Sequence, residues 1–524
     1  MLLPILSALL GIIAFSPLNF YPLAFFGLVP LFIFFAREQK LWRLVLGTAL
    51  FRLIFGLGTV YYTLEPIFWT SSLLIFLGLP ITIWGVKKII NYCKIKNPLP
   101  PSFVKEGWGG FLPLLAKERV GVRWISKFKI YLSLFSNYLP FALLPFLWSF
   151  FDLLEARWSL MPAYIFTAGN ALGSSPFLGL ANFGGIATLT FFVVAVNTLI
   201  TTIVLSVIPA KAGIQKFWIP GQARNDNKKC VLYQILALVL LLLSAWQISQ
   251  SSLRQNDLAY AALPHSFKFA AISVNAKFTL SEFGALKNDL AGQNLDLIVW
   301  PEDIIGAPRQ GGTPDTQTFF LAQNTAKELK VNLLAAFDTT RGNARYNSAV
   351  LFNQQGGVAG QYDKNRLTFI GEFWPFGHWL PPLADWVKKF DPSIANYAMF
   401  DPANAYRRGA RKLLTLDLPQ GPALFAAPIC LEVHYPGDLA DYQKAGARFI
   451  VNPSSNRWIN AGAKHLLYLT DNLKKVEAVW LNLPIISSGV KDYVGLTLPN
   501  GQARLVDYQN PDKNYAIFFG EIKY

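Results

Sequence analysis

Charged residues are scarce in this chain, and their scarcity excludes several classes of protein. Of its 524 residues, 15% are charged and 53% are hydrophobic, whereas soluble globular proteins average about 25% charged and about 45–50% apolar residues. A disordered chain is also excluded, because disorder goes with low hydrophobicity and high charge. The 42 Phe, 20 Tyr and 15 Trp indicate contact with lipid or a large core.

Cysteine and recognisable ligand motifs are sparse as well. Three cysteines in the whole chain cannot form a disulfide framework. The four histidines show no His-Glu-x-x-His spacing and form no cluster with cysteine, so we expect no metal site. No glycine-rich phosphate-binding motif follows a strand, which excludes the dinucleotide-binding and P-loop classes. The sequence therefore predicts a protein without a cofactor.

The positive charge is distributed unevenly along the chain. The net charge is +16, and such an excess can indicate binding to nucleic acid. However, residues 1–249 contain 20 Lys and Arg against 7 Asp and Glu, whereas residues 250–524 contain 27 against 24. The excess lies between hydrophobic runs, where basic residues set membrane topology. We therefore expect a membrane, and no nucleic acid, as a partner.

Seven hydrophobic runs in the first half approach the length of about 20 residues that a membrane helix needs. They are Leu2–Leu18, Tyr21–Ala36, Leu44–Thr63, Ile67–Val86, Ile130–Phe151, Phe183–Val207 and Val231–Ile248. Basic loops alternate with loops that are nearly free of basic residues. This pattern predicts a cytoplasmic N-terminus and places the residues after about position 250 on the opposite side. In a diderm bacterium, the chain would be an inner-membrane protein with a periplasmic second half.

Two basic loops in the first half have the composition of insertions. Residues 98–124 and 209–226 are rich in Pro, Gly, Lys and Arg and lack apolar periodicity. Long surface insertions cost little closure entropy, so a fold tolerates them. We predict a transmembrane domain of about seven helices over residues 1–249 and assign these two loops no chemistry.

The second half has the pattern of an α/β domain, because short β-rich runs alternate with helical runs from Phe267 onward. The predicted strands are Phe267–Val274, Leu295–Trp300, Val331–Phe337, Ser348–Phe352, Ala423–Pro428, Phe449–Val451 and Ile485–Ser488. The predicted helices are Thr316–Leu329 and Lys464–Leu481. Strands interleaved with helices over residues 250–524 indicate one α/β domain.

Three predicted strand ends carry reactive side chains. They are Val299-Trp300-Pro301-Glu302, Tyr362-Asp363-Lys364-Asn365-Arg366-Leu367 and Pro428-Ile429-Cys430-Leu431-Glu432. A single Cys after an apolar strand is more often a small core residue than a nucleophile. A single Glu or Lys at a strand end usually faces solvent. Only the three segments together, in this chain order, are informative.

In this combination the sequence resembles the nitrilase, or carbon–nitrogen hydrolase, superfamily over residues 267–524. With several membrane-spanning runs in front, it resembles the apolipoprotein N-acyltransferase family. The motifs that carry the likeness are Lys364-Asn365-Arg366-Leu367, then Gly371-Glu372-Phe373 and Pro375, then Ile429-Cys430 with Glu432 and Pro436. The resemblance implies a multi-span transmembrane α-helical bundle followed by an α/β nitrilase-like domain, an αββα sandwich.

The resemblance also implies a catalytic set of Glu302, Lys364 and Cys430. A thiol must lose its proton before it attacks an ester, so Glu302 is expected to act as general base and later as general acid for the nucleophile Cys430. Lys364 and the backbone N–H of Leu431 are expected to stabilise the oxyanion. Metal ligands are not part of this expected site.

Two further carboxylates match positions that matter in the family. Glu372 is expected to position Lys364 or the base. Glu432 is expected either to support the loop around Cys430 or to form a purely structural ion pair.

By the same resemblance, the substrates are two lipids. A phospholipid donates its fatty acyl chain to Cys430 as a thioester. The acyl group then passes to the N-terminal amine of the diacylglyceryl-cysteine of a lipoprotein, a step in lipoprotein maturation. The expected enzyme is thus a phospholipid:apolipoprotein N-acyltransferase with a ping-pong mechanism.

Two alternatives remain open at this point. The same three residues suit a membrane-tethered nitrilase-type amidase that uses water as the acceptor. A degenerate relative that only binds lipids or lipoproteins is supported by three departures from the family pattern. Leu431 stands where the family usually has Tyr, the loop Ser454–Trp458 retains only its first and last residues, and no apolar run follows Phe519.

Overall fold

The computed structural model describes residues 1–15, 20–60, 76–96, 141–154, 156–157, 163–207, 226–275, 277–305, 315–368, 372–373, 385, 389, 405–457, 464–507 and 513–524. They belong to two compact units. The first unit takes in Met1–Thr59, Thr70–Trp158 and Thr190–Leu243, and the second takes in Val60–Trp69, Ser159–Leu189 and Ser244–Tyr524. The two predicted insertions lie outside the described residues, except for Asp226.

The first unit is helical. Its helices are Leu2–Phe15, Val29–Arg37, Leu41–Val60 up to Thr59, Gly78–Lys96, Phe141–Leu154, Gly185–Val207 from Thr190 onward and Asp226–Ala261 up to Leu243, with a 3-10 helix at Tyr21–Phe25. Within the described part of the chain, three stretches are long and apolar enough to cross a membrane: Leu41–Thr59, Gly185–Val207 and Val231–Ala261. The seven-span bundle remains a prediction.

An aromatic cluster forms the centre of the first unit. The buried indole of Trp148 contacts the rings of Phe32, Phe51 and Phe76 at centroid distances of 5.7, 6.1 and 4.8 Å. All three contacts are edge-to-face, the arrangement that the ring quadrupoles favour. The abundant Phe and Trp of this half thus contribute to internal packing.

The second unit is built on a twelve-stranded sheet. The strands are β1 (Ser266–Val274), β2 (Leu297–Glu302), β3 (Asn332–Arg341), β4 (Ala344–Phe352), β5 (Val358–Asp363), β6 (Leu414–Leu416), β7 (Ala423–Ala426), β8 (Phe449–Ser455), β9 (Ile485–Val490), β10 (Val494–Thr497), β11 (Ala503–Val506) and β12 (Tyr515–Lys523). The main path runs β5-β4-β3-β2-β1-β9-β8-β7-β6. From β3 to β7 along this path every pairing is parallel, and the remaining pairings are antiparallel.

Helices cover the sheet through apolar faces. They are Phe283–Leu290, Thr316–Leu329, Pro436–Lys444 and Lys464–Leu481. The bounds of two of these, Thr316–Leu329 and Lys464–Leu481, are those predicted from the sequence. The helix Thr316–Leu329 begins where the Asp315 side chain accepts a hydrogen bond from the N–H of Thr318, and it buries Ala322 and Ala326 against the strands.

The segment between the helices Phe141–Leu154 and Gly185–Val207 belongs to the second unit. It contains three short 3-10 helices, Ala163–Phe166, Ala168–Leu172 and Leu178–Phe183. Asn170 donates a hydrogen bond of 3.0 Å to the carbonyl of Leu469 in the helix Lys464–Leu481. A Cβ on Gly173 would lie 2.5 Å from the Cβ of Asn472, so this close approach requires glycine.

Candidate active site

The three predicted catalytic residues lie at or just beyond the ends of strands in the second unit. Glu302 is the last residue of β2, Lys364 directly follows β5, and Cys430 begins the 3-10 helix Cys430–His434 after β7. All three residues are buried. Because β2 and β7 belong to the parallel part of the sheet, their carboxyl ends lie on the same edge. Glu302 and the turn that carries Cys430 therefore face the same region.

Lys364 is enclosed by two carboxylates. Its Nζ lies 3.0 Å from Oε1 of Glu372 and 3.9 Å from Oε1 of Glu302, and its side chain is 1% exposed. Burial lowers the pKa of a lysine, but the charges of Glu372 and Glu302 outweigh burial and raise the pKa of Lys364 above its ordinary value. The ammonium is therefore a fixed positive charge at neutral pH.

Asn347 in β4 joins the two carboxylates, and it was not predicted from the sequence. Its Nδ2 donates hydrogen bonds of 2.6 Å to Oε1 of Glu302 and 2.6 Å to Oε1 of Glu372. Its backbone carbonyl accepts a bond of 2.8 Å from the N–H of Lys364. A primary amide carries two protons on one nitrogen and so serves both carboxylates at once. The only signal in the sequence is a polar residue directly before the run Ser348–Phe352.

Cys430 occupies a strained and enclosed position. Its φ is +53°, which is uncommon for a residue other than glycine and is often found at functional sites. Its Sγ lies 3.9 Å from the carbonyl oxygen of Ser455 at the end of β8. Burial and the negative charge of Glu302 raise the pKa of the Cys430 thiol to about 12, while the charge of Lys364 opposes this rise. The resting thiol is therefore protonated at neutral pH, and its pKa responds to both neighbouring charges.

Glu432 fastens the cysteine turn to the strand end that carries the lysine. Its Oε1 accepts hydrogen bonds of 2.8 Å from the N–H groups of Asn365 and Arg366 and from the hydroxyl of Tyr362. Its Oε2 accepts one of 2.8 Å from the N–H of Ile429. Burial raises the pKa of Glu432 to about 7, although the hydrogen bonds from Arg366, Ile429 and Tyr362 and the charge of Lys364 favour the ionised form.

Comparison with known proteins finds similarity to carbon–nitrogen hydrolases and to apolipoprotein N-acyltransferases. The carbon–nitrogen hydrolase family model matches residues 247–481. The apolipoprotein N-acyltransferase of Haemophilus influenzae is 23% identical over 520 residues, which cover 94% of this chain and 84% of that protein. The apolipoprotein N-acyltransferase of a Synechocystis species is 24% identical and covers 85% of this chain and 80% of its own length. The chain is thus similar to apolipoprotein N-acyltransferases over most of its length and to carbon–nitrogen hydrolases over residues 247–481.

The family model also supports the nitrilase-like fold expected for the second unit. Among solved structures, Saccharomyces cerevisiae Nit3, a nitrilase-superfamily member, is similar to this chain with a TM-score of 0.36 and 13% identity. The match covers 50% of this chain and 91% of Nit3. A carbon–nitrogen hydrolase from Helicobacter pylori is 15% identical with a TM-score of 0.36. The match covers 49% of this chain and 89% of that protein.

Leu431 and Ser455, two positions at which the chain departs from the family pattern, lie close to Cys430. Leu431 follows the nucleophile in its turn and is 6% exposed. Ser454 donates a hydrogen bond of 2.9 Å to Oδ2 of Asp492 and precedes Ser455, whose carbonyl faces the thiol. The family-motif residues Gly371 and Pro375, and Trp458 of the altered loop, lie outside the described residues.

Across the described ranges, no group of three or more His, Cys, Asp or Glu side chains is arranged to hold a metal ion. The polar groups that the structure brings together are a thiol, an ammonium, two carboxylates and an amide. Such a set suits attack on a carbonyl carbon and stabilisation of the resulting oxyanion.

Proposed function

We propose that this chain transfers a fatty acyl group from a phospholipid, through a thioester on Cys430, to the N-terminal amine of diacylglyceryl-cysteine in lipoproteins. The likeness to apolipoprotein N-acyltransferases over most of the chain supports lipoprotein N-acylation in general. The observation that carries the finer proposal is the buried contact of Lys364 with Glu302 and Glu372 beside a strained cysteine.

In the first half-reaction, Glu302 removes the proton from Sγ of Cys430 as the sulfur bonds to the ester carbonyl carbon. The oxyanion that forms is stabilised by the Lys364 ammonium and by the N–H of Leu431. The carbon–oxygen bond then breaks, and Glu302 returns the proton to the departing alcohol. The products are a thioester on Cys430 and a lysophospholipid.

In the second half-reaction, the amine of the lipoprotein attacks the thioester carbonyl. Glu302 accepts a proton from the attacking nitrogen, and the carbon–sulfur bond breaks to leave an amide. The proton returns to the Cys430 sulfur, which restores the resting enzyme. Glu372 keeps the ammonium of Lys364 in place during both steps.

We place this chemistry on the outer side of a bacterial inner membrane. The chain contains apolar helices of membrane-spanning length, and the bias of Lys and Arg toward alternate loops supports a periplasmic location for residues 250–524. Both proposed substrates are anchored in the bilayer, which is consistent with a membrane domain of several helices over residues 1–249.

The decisive experiment is mass spectrometry of the intact purified protein after incubation with phospholipid. We expect a long-chain acyl adduct on Cys430 and its transfer to a synthetic diacylated lipopeptide. Cys430→Ala is expected to abolish both adduct and transfer, because no other nucleophile at this position can form the thioester. Full transfer by Cys430→Ala would contradict the proposal.

The same measurement separates the alternative functions. An amidase would carry a small acyl group on Cys430 and release it to water without a lipopeptide product. A binding protein would carry no adduct but would retain the lipopeptide during purification. Either outcome would replace the acyltransferase proposal.

Replacing Asn347 tests whether its hydrogen bonds position the carboxylates of Glu302 and Glu372. Asn347→Leu removes the donor shared by Glu302 and Glu372, so we expect acyl-enzyme formation to fall by about 10-fold to 100-fold, since a lost hydrogen bond to a charged group costs about 1.5–3 kcal/mol. Asn347→Asp adds a third carboxylate and is expected to shift the pH profile of acylation toward higher pH. Identical profiles for the Asp variant and the unaltered enzyme would exclude this positioning role.

A further inference from the structure

A run of exposed basic side chains lies beside the candidate active site. The segment 405–412 reads Ala-Tyr-Arg-Arg-Gly-Ala-Arg-Lys and contains four basic residues and no acidic one. All four basic residues are exposed. We refer to residues 405–412 as the basic segment.

Backbone hydrogen bonds attach the basic segment to the residues that carry the catalytic ammonium and its partner. The N–H of Tyr406 donates to the carbonyl of Glu372 at 3.3 Å, and the N–H of Gly409 donates to the carbonyl of Lys364 at 3.0 Å. The Asn365 side chain donates to the carbonyl of Gly409 at 2.6 Å. A Cβ at Gly409 would lie 2.3 Å from the carbonyl oxygen of Asp363, so only glycine allows this approach.

Two arginines of the basic segment, Arg407 and Arg408, differ from Arg411 in their partners. Arg411 pairs with Asp438 at 2.5 Å and with Asp441 at 2.7 Å. By contrast, no ion pair joins Arg407 or Arg408 to a carboxylate among the residues that the structure describes. Arg408 lies over the ring of Phe373, 5.3 Å from its centroid, a cation–π contact with the residue that follows Glu372 in the chain.

We propose that Arg407 and Arg408 bind the phosphate of the phospholipid donor. This inference rests on the proposed function, and it adds a subsite to the same active site. A guanidinium presents a planar fork of N–H donors that matches two phosphate oxygens. In a glycerophospholipid, only the glycerol backbone separates the phosphate from the ester carbonyls. In this proposal the phosphate binds the arginine pair, and the ester extends toward Lys364, whose carbonyl accepts the hydrogen bond from Gly409 of the same segment.

The test compares two acyl donors in the full-length protein. One is a phospholipid, and the other is p-nitrophenyl palmitate, which carries the same acyl chain and no phosphate. The double variant Arg407→Gln/Arg408→Gln is expected to form the acyl-enzyme at least about tenfold more slowly from phospholipid, because charge-assisted bonds to phosphate are lost. Its rate with p-nitrophenyl palmitate is expected to be unchanged.

A matched control removes two exposed positive charges from the residues before the start of β8. Lys444 and Arg448 are exposed, and Arg448 directly precedes β8, whose opposite end faces Cys430. Lys444→Gln/Arg448→Gln changes the net charge equally and is expected to leave both rates unchanged. The phospholipid rate of the unaltered enzyme is also expected to fall as salt is added, and that of the arginine variant is expected to respond less, because salt screens exposed charges.

Each remaining outcome overturns the assignment. Unchanged rates with both donors would show that the arginines do not bind phosphate. An equal loss with both donors would show that they support the site and do not recognise the donor. If the unaltered enzyme forms an acyl-enzyme from p-nitrophenyl palmitate but none from phospholipid, the proposed function is wrong and the phosphate subsite fails with it.

Discussion

Replacing Glu302 by glutamine is expected to slow acyl-enzyme formation by about 10²-fold to 10⁴-fold, the usual contribution of a general base. Burial and the charge of Glu302 raise the pKa of Cys430 to about 12, so at neutral pH very little thiolate exists unless a base accepts the proton. Glutamine keeps an oxygen that accepts the 2.6 Å bond from Asn347. The loss is therefore expected in the rate and not in the fold.

The Glu302→Gln variant is also expected to acquire a new pH dependence. Without the base, the reacting species is the free thiolate, whose fraction rises about tenfold per pH unit below the thiol pKa. Acylation measured by quenched mass spectrometry should then increase with pH across the neutral and mildly alkaline range. The unaltered enzyme should show a smaller slope, because Glu302 supplies the thiolate during the reaction.

Glu328→Gln provides the matched control for this measurement. Glu328 is an exposed carboxylate near the end of the helix Thr316–Leu329 and pairs with Lys287. Its removal changes the charge by the same amount as Glu302→Gln and is expected to leave the acylation rate unaltered. A Glu302→Gln enzyme that acylates as fast as this control would contradict the role of Glu302 as the base.

Local sequence patterns predicted the elements whose signal is periodic. The helices Thr316–Leu329 and Lys464–Leu481 carry apolar residues at helical spacing, and their predicted bounds are confirmed. The strands β1 and β2 were predicted within three residues of their bounds because they are apolar runs buried in the sheet. The spacing of apolar residues indicates which face or run of an element is buried, and these four elements bury such a face or run.

The sequence did not give the bounds, pairings or contacts that depend on partners distant in the chain. The sequence indicated a strand end at Tyr362-Asp363-Lys364 but not the bounds of β5, because four of the six residues of β5 are partly or fully exposed and form no apolar run. The strand β12 pairs with β1 across about 250 residues of chain, and no local pattern encodes such a pairing. Asn347 was missed for the same reason, because its role depends on two carboxylates from other strands.

The candidate catalytic residues were identified through family motifs and not through geometry. Spacing along the chain could not show that Glu432 accepts hydrogen bonds from Tyr362, Asn365 and Arg366 on either side of Lys364. Only the fold brings these two segments together. Likewise, the basic segment 405–412 reads as an ordinary exposed loop until its hydrogen bonds to Lys364 and Glu372 are known. The residue types indicated the chemistry of the site, whereas only the fold shows which distant segments contact each other.

Glu432→Gln is expected to impair both stability and acylation. One oxygen of Glu432 accepts three hydrogen bonds and the other accepts one from the N–H of Ile429. A glutamine in either orientation places an NH₂ group against at least one of these donors. A buried donor left without an acceptor costs about 1–3 kcal/mol, so we expect a lower midpoint of thermal unfolding and a reduced rate, because the turn of Cys430 is no longer fastened to the strand end of Lys364.

Tyr362→Phe is the comparison that separates this role from general packing. It removes a single donor to Glu432 and keeps the aromatic ring in place, while the three backbone N–H groups still bind the carboxylate. We expect a loss of about 1 kcal/mol or less in the free energy of unfolding and an acylation rate near that of the unaltered enzyme. If Tyr362→Phe were as damaging as Glu432→Gln, the backbone bonds would not be what joins the two catalytic segments, and the hydroxyl of Tyr362 would have to carry that role.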